Sequence, residues 1–452
     1  MSSRVSRRRF LKQGAFAGAL ILTAPGMART YAANGKLNFG FVATGGRGGA
    51  HLGMGKKHTT IGICDVDLDR TKKAQEMFPK AKVYQDYRKM FDELGSKMDA
   101  CAVATPDHHH ACAATRAMTQ GIHCYCEKPL TWSIHEARVM ADLARKKKVA
   151  TQMGNQGHAN QGNRRVVEWI RDGAIGEVKE VHTWTNRPVW PQGYGELPEK
   201  EAVPSSLDWD CWIGGAPYRE RRKNMHSFGW RGWLDYGTGT IGDMGCHTWD
   251  CVWWSLDPKA PLSAEVVKVE GKNDISHPKS VHYKWEFGPN DWRPGFTAHW
   301  YSKPWKPEIP DEIKNDPDLP DKQKKLSGSG SIFIGTKGKL YVAGDYGNSP
   351  RIIPIKAMEA YKEKGLPEKI PASPGHHDEF LLAATGEKPW DYPKSNFTYG
   401  GPLVEAMLLG IVSLQAGMKV EWDAKNLKVT NCPKANAFVQ REYRKGWELV
   451  TG

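Results

Sequence analysis

No Cys-x-x-Cys pair occurs in this chain of 452 residues, so a structural zinc site has no starting point. The nine cysteines are odd in number, and Cys64, Cys101, Cys124 and Cys126 sit inside apolar runs. That predicts buried free thiols rather than a disulfide framework. No apolar run reaches the roughly 20 residues of a membrane span, so no stable membrane anchor is expected. Basic residues outnumber acidic ones, giving a formal net charge of +14. Yet no basic stripe interleaved with aromatics occurs, so nucleic acid is not an expected partner. Internal repeats are lacking too. The stretch from Lys303 to Ser331, rich in Pro, Lys, Asp, Gly and Ser, reads as a long surface insertion.

What is present begins with the N-terminus. Ser6-Arg7-Arg8-Arg9-Phe10-Leu11-Lys12 precedes a short apolar stretch from Ala15 to Ala24, then small residues around Ala32 and Ala33. An arginine pair, an apolar segment and a small-residue site predict a twin-arginine signal over residues 1–33. A basic tail beside a buried helix is the competing reading. The segment carries six positive residues and no acid, so its removal lowers the net charge from +14 to +8. The expected location is periplasmic or otherwise exported, with the twin-arginine machinery as a partner. That route carries folded proteins, so the thiols would meet a reducing cytosol first.

Two domains are expected, residues 34–158 and residues 159–452. In the first, short apolar runs (Leu37 to Ala43, Thr60 to Cys64, Ala100 to Thr105, Ile122 to Cys126, Val149 to Met153) alternate with helical segments. These are Asp67 to Met77, His109 to Gln120 and Ser133 to Lys147. Such alternation predicts a doubly wound parallel sheet, an α/β Rossmann fold. Beyond Asn160 the texture changes, with a turn at Gly173-Ala174-Ile175-Gly176 and a strand from Glu177 to Thr185. Thirteen of the eighteen tryptophans fall between Trp184 and Trp305, which marks this half as compositionally distinct. Strands return at Ser331 to Ile334 and Lys339 to Val342, followed by a helix from Gly401 to Gly417 with Pro402 near its first turn.

Ala43-Thr44-Gly45-Gly46-Arg47-Gly48 directly follows the first strand. Gly45 and Gly48 fill the second and third positions of a dinucleotide-binding glycine turn, while Ala43 stands where the first glycine is usual. Asp65 ends the second strand about twenty residues on, where a carboxylate accepts hydrogen bonds from ribose hydroxyls and repels a 2′-phosphate. Together these favour NAD over NADP. Asp65 could instead cap a helix, although Asp67 could fill that role.

Three further motifs follow in order: Ala104-Thr105-Pro106-Asp107-His108-His109-His110, Glu127-Lys128-Pro129, and Gly237-Thr238-Gly239-Thr240-Ile241-Gly242-Asp243-Met244-Gly245-Cys246-His247. Asp243 and His247, spaced i, i+4, share one helix face, and Lys128 at a strand's carboxyl end belongs in the ligand crevice. In this order the motifs resemble the glucose-fructose oxidoreductase / inositol dehydrogenase / MocA family. The resemblance runs from about Lys36 to the C-terminus and includes Gly335-Thr336-Lys337-Gly338 and Asp378-Glu379-Phe380. It implies a C-terminal α/β domain with a large open mixed sheet, pairing between subunits in a homo-oligomer, and a sugar or sugar-like polyol as substrate. It implies that His247 is the principal acid/base, that Asp243 orients the imidazole or the substrate, and that Lys128 hydrogen-bonds the reacting oxygen. It places Gly45, Gly46, Arg47, Gly48, Asp65, Thr105, Pro106, His110, Glu127, Lys128 and Asn155 around the cofactor.

Blander readings attach to the remaining clusters. Adjacent histidines at His108, His109 and His110 point in different directions, and His376-His377-Asp378 reads as a helix start, so no metal is expected at either. Trp230, Trp233, Trp249, Trp253 and Trp254 are core by default, with two or three tryptophans left to face a sugar ring. Export away from a pool of free nicotinamide would demand a tightly held cofactor, regenerated in place. Three functions therefore compete: a dehydrogenase of sugar alcohols, an NAD-dependent glycosidase working by transient C3 oxidation and elimination with no net redox, and a non-catalytic sugar-binding protein.

Overall fold

The computed structural model describes residues 35–452, so the expected export signal lies outside the described residues. Six strands, β1 (Asn38–Val42), β2 (Thr59–Cys64), β3 (Lys82–Tyr84), β4 (Ala100–Val103), β5 (His123–Cys126) and β6 (Thr151–Met153), form one parallel sheet in the order β3-β2-β1-β4-β5-β6. All four residues of β4 are buried, as expected of a parallel strand covered on both faces. The Ile134–Lys147 helix starts on a reciprocal cap. Ser133 accepts from the backbone N–H of Glu136, whose carboxylate accepts from that of Ser133.

A mixed sheet of nine strands builds the second half: β7 (Val178–Trp184), β8 (Pro261–Glu270), β9 (Ser280–Phe287), β10 (Phe296–Tyr301), β11 (Gly330–Gly335), β12 (Gly338–Ala343), β13 (Ser349–Ile353), β14 (Val420–Asp423) and β15 (Lys428–Val429). Its order is β13-β12-β11-β7-β10-β9-β8-β14-β15, with β10 parallel to β7 and its other ladders antiparallel. In β9 and β10 alternate residues are buried (Tyr283, Trp285, Ala298, Trp300), so one face packs on helices and the other is left half-open.

Three expectations need adjustment. The long apolar helix spans Phe397–Ala416, four residues earlier than expected. Asn396 caps it by accepting from the N–H groups of Thr398 and Tyr399, which leaves Pro402 in the second turn. The helix is long and apolar enough to cross a membrane, but 78% of its apolar window is buried inside the protein. The Pro- and Lys-rich stretch lies mostly at the surface, as expected, but it is anchored: Ile313, Leu319 and Leu326 pack against Trp184, Ile332 and Tyr341. Finally, the C-terminal segment returns to the first sheet. Phe380, Ala383 and Ala384 join the cluster of Leu37, Phe39 and Phe41, and Tyr443 donates to Glu136. All nine thiols are free, and all but Cys432 are buried.

Candidate active site

A cavity of about 300 Å³ runs from the carboxyl ends of β1, β2 and β4 to the Gly239–Thr248 helix. At its first end, the chain leaves β1 through Ala43, held at φ 66, and enters two short 3-10 turns rather than an α-helix. Gly48 sits where a Cβ would collide with the Ala43 carbonyl oxygen. Its role is close packing, and Gly48 does not line the cavity, whereas Gly45, Gly46 and Arg47 do. Asp65 lines it too, but its Oδ2 accepts from the backbone N–H groups of Thr44 (2.9 Å) and Gly45 (3.1 Å). The carboxylate therefore clamps the glycine turn. Burial raises its pKa above the ordinary value, against the pull of those N–H groups. Helix-turn capping falls to Asp67, which accepts from Asp69.

After β4, Thr105 and Pro106 line the wall, and the buried Thr105 Oγ1 has no hydrogen-bond partner among the described residues. Of the three adjacent histidines, expected to point in different directions, two converge: the rings of His108 and His109 lie with centroids 4.4 Å apart. His108 and His109 both face the Trp212 carbonyl, at 3.0 and 2.8 Å. His110 lies off the cavity, wedged between the carbonyls of Thr105 (2.8 Å) and Pro129 (2.6 Å). It is held against the turn that carries Thr105 and is not on the cavity wall. Asn155 is likewise withdrawn: fully buried, it donates to the Cys246 carbonyl and Asp250 and accepts from Ser395.

Glu127 Oε1 accepts from Arg47 Nε and contacts His51 Nε2, both at 2.9 Å, and His51 Nδ1 meets His377 Nε2 at 3.0 Å. Burial opposes its charge, yet the His51 hydrogen bond and Arg47 hold the Glu127 carboxyl well below the usual carboxylate range. Next to it, Lys128 Nζ donates to the Asp243 carbonyl (2.7 Å) and to Asp243 Oδ1 (2.8 Å). Arg231 Nε donates to the same Oδ1 at 3.1 Å. Against its burial, these two cations hold the Asp243 carboxyl at about 2. The carboxylate is thus spent on Lys128 and Arg231, and orients the lysine rather than the imidazole.

His247, one helical turn on, is 5% exposed, and its Nδ1 has no partner among the described residues. Burial first, and the nearby Lys128 charge second, lower its pKa to about 3, so the ring is neutral at ordinary pH. Tyr346 stands edge-on to it, with ring centroids 4.9 Å apart. Sequence reasoning missed Tyr346 and Arg231, both on the cavity wall. Of the tryptophans, Trp212 and Trp230 line the cavity, while Trp233 and Trp249 are in the core.

The residues fit a nicotinamide dinucleotide: a glycine turn open to a cleft, and two unpartnered buried polar atoms, Thr105 Oγ1 and His247 Nδ1, near where a nicotinamide and its substrate would meet. Such a cleft between a parallel dinucleotide-type sheet and a mixed α/β half defines a two-domain oxidoreductase fold. The NAD-binding Rossmann-fold profile of the Gfo/Idh/MocA oxidoreductase family matches residues 37–155, and the profile of its C-terminal alpha/beta domain matches residues 173–290. Together they cover more than half of the chain, which belongs to that family.

The chain is similar to the D-glucoside 3-dehydrogenase of Escherichia coli (strain K12), 26% identical over 177 residues, or 37% of this chain and 50% of that protein. It is also similar to glycosyl hydrolase family 109 protein 2 of Akkermansia muciniphila, 26% identical over 156 residues, or 32% of this chain and 33% of that protein. The chain thus spans half the length, or less, of these curated relatives. Among solved structures, the fold resembles the WlbA dehydrogenase from Bordetella pertussis in complex with NADH and UDP-GlcNAcA. The TM-score is 0.57 at 17% identity, over 86% of this chain and 99% of that one.

Proposed function

We propose that this protein is an exported NAD-dependent oxidoreductase that oxidises a ring alcohol of a sugar or sugar-like polyol. The observation that carries the reading is convergence: Lys128, Asp243 and His247, from two halves of the chain, meet on the wall that also holds the glycine turn. Bound nicotinamide would supply the hydride acceptor. The protein's own part is proton handling and alignment. Lys128, fixed by Asp243, would donate to the reacting oxygen, and neutral His247 would take the hydroxyl proton. Trp230 lines the same cavity, with the Arg231 guanidinium 4.3 Å from its ring centroid. The likeness to the D-glucoside 3-dehydrogenase of Escherichia coli supports a sugar hydroxyl as the target.

A second reading is favoured by the likeness to a glycosyl hydrolase family 109 protein. There the same groups would serve a redox-neutral cleavage, in which oxidation at C3 acidifies the C2 proton, the aglycone leaves by elimination, and water addition and return of the hydride to C3 complete the hydrolysis. One experiment separates the two. The protein, purified from fractionated cells with its nucleotide retained, is offered free sugars and aryl glycosides. Keto-sugar formation coupled to NADH, or to a second reduced substrate, supports the dehydrogenase. Aglycone release with no net change in NAD supports the glycosidase. Neither product from any sugar would favour a binding protein, and recovery in the cytosolic fraction alone would remove the export proposal.

A further inference from the structure

The half-open face of the second sheet carries a group of donors remote from the cavity. On β7, Glu180 and His182 are two apart and so share a face, and β10 runs parallel to it with His299 directly beside His182. On the other side of β10, β9 places His282 beside Tyr301. The neighbouring residues Val181, Thr183, Ala298 and Trp300 are buried on the opposite, helix-covered face. The imidazoles of His182 and His299 lie parallel, with centroids 4.8 Å apart. One oxygen, Glu180 Oε1, faces His182 Nε2 at 2.8 Å and His299 Nε2 at 3.3 Å. The three donor atoms all lie within 4.8 Å of one another.

We propose that Glu180, His182 and His299 form a binding site for a divalent transition-metal cation of the zinc type, on the face of the sheet away from the catalytic cleft. Three features of the geometry carry it. Zinc bonds to imidazole nitrogen and carboxylate oxygen are about 2.0–2.2 Å, so neighbouring ligand atoms around a tetrahedral ion sit roughly 3.3 Å apart. The two edges at Glu180, 2.8 and 3.3 Å, lie just below and at that spacing, and the third is within 4.8 Å, so modest side-chain shifts admit the ion. Next, the outer partners are already in place. His182 Nδ1 lies 2.9 Å from the Tyr301 hydroxyl, and His299 Nδ1 lies 2.9 Å from His282 Nε2. If each Nδ1 carries the ring proton and donates it outward, both Nε2 lone pairs turn to the ion, the arrangement that metal-bound histidines ordinarily adopt.

Lastly, the donor set selects the metal. Two imidazoles and a carboxylate suit zinc, copper, nickel or cobalt, whereas magnesium and calcium want oxygen ligands. The side chains of His182 and His299 are 16% and 14% exposed and that of Glu180 is 39% exposed. The two imidazoles are therefore held by packing, and the Glu180 carboxylate is the more accessible ligand. Lys284 is not a competitor for Glu180, since its ammonium pairs with Glu265 and Glu286.

The test uses the mature full chain without a polyhistidine tag, stripped by chelator and titrated calorimetrically with zinc chloride. The site predicts one equivalent per chain that is lost, or weakened at least tenfold, in His182→Ala and in His299→Ala. X-ray absorption at the zinc edge should show a nitrogen and oxygen shell with imidazole scattering. Glu180→Gln keeps the side-chain shape and removes the charged donor, so it carries the test if an alanine variant does not fold. Binding that is absent from the wild type, or undiminished in these variants, would overturn the proposal.

Discussion

Asp243 is the residue on which the local electrostatics turn. A single carboxylate oxygen accepts from both Lys128 and Arg231, and the two cations keep it ionised through the neutral range. Asp243→Asn would keep an oxygen in place but leave two cations facing each other without their anion. Hydrogen bonds to charged groups are worth about 1.5–3 kcal/mol, so a stability loss of that order is expected on denaturant unfolding. Turnover should fall on the order of tenfold to a hundredfold through misplacement of Lys128, with a changed pH profile and little change in KM. An unaltered kcat would remove Asp243 from its positioning role. The i, i+4 spacing of Asp243 and His247, and Lys128 at a strand end, could be read from the sequence, because helix and strand geometry fix where those side chains go. Arg231 and Tyr346 could not. Each sits in a turn, at Gly229–Gly232 and after β12, whose approach to the cleft is set by contacts distant in sequence.

At the scale of elements, the glycine turn is where backbone conformation and function meet. Ala43 accepts a left-handed φ of 66 at the position where such turns usually carry a glycine, and the turn is then fastened by Asp65 through Thr44 and Gly45. Gly48 allows the chain to pass against the Ala43 carbonyl oxygen. Gly48→Ala must push those two apart, so nucleotide retention should weaken by on the order of tenfold or more, read by fluorescence titration with NADH. Retention at the wild-type level would show that the turn is not the nucleotide's cradle. The parallel strands of the first sheet were legible because each is a short apolar run bounded by turns, although β3, with only three residues, escaped notice. The insertion is mostly exposed, as expected, but its anchors were not legible: Ile313, Leu319 and Leu326 are too scattered among Pro, Lys and Asp to show a period, yet each reaches the core cluster under β11 and β12.

Across the whole molecule, the two halves are braced at the cleft. Asp107 accepts from the backbone and hydroxyl of Thr238 (3.0 and 2.6 Å), and Asp250 gathers Asn155, His158, Asn163 and Tyr399 into one buried network. Asn155, expected beside the cofactor, instead belongs to this brace. The order of the nine-stranded sheet could not be read from the sequence alone, since antiparallel register depends on partners up to more than a hundred residues away. The brace positions His247, from the second half, against the cleft of the first, and that placement is the central claim. Its most direct measurement is stopped-flow mixing of substrate sugar with NAD-loaded protein, following the absorbance of reduced nicotinamide in wild type and in His247→Ala. The wild type should give a burst of NADH, and the variant should bind nucleotide equally well but react on the order of 10²–10⁴ times more slowly. A burst of equal rate in the variant would contradict the account.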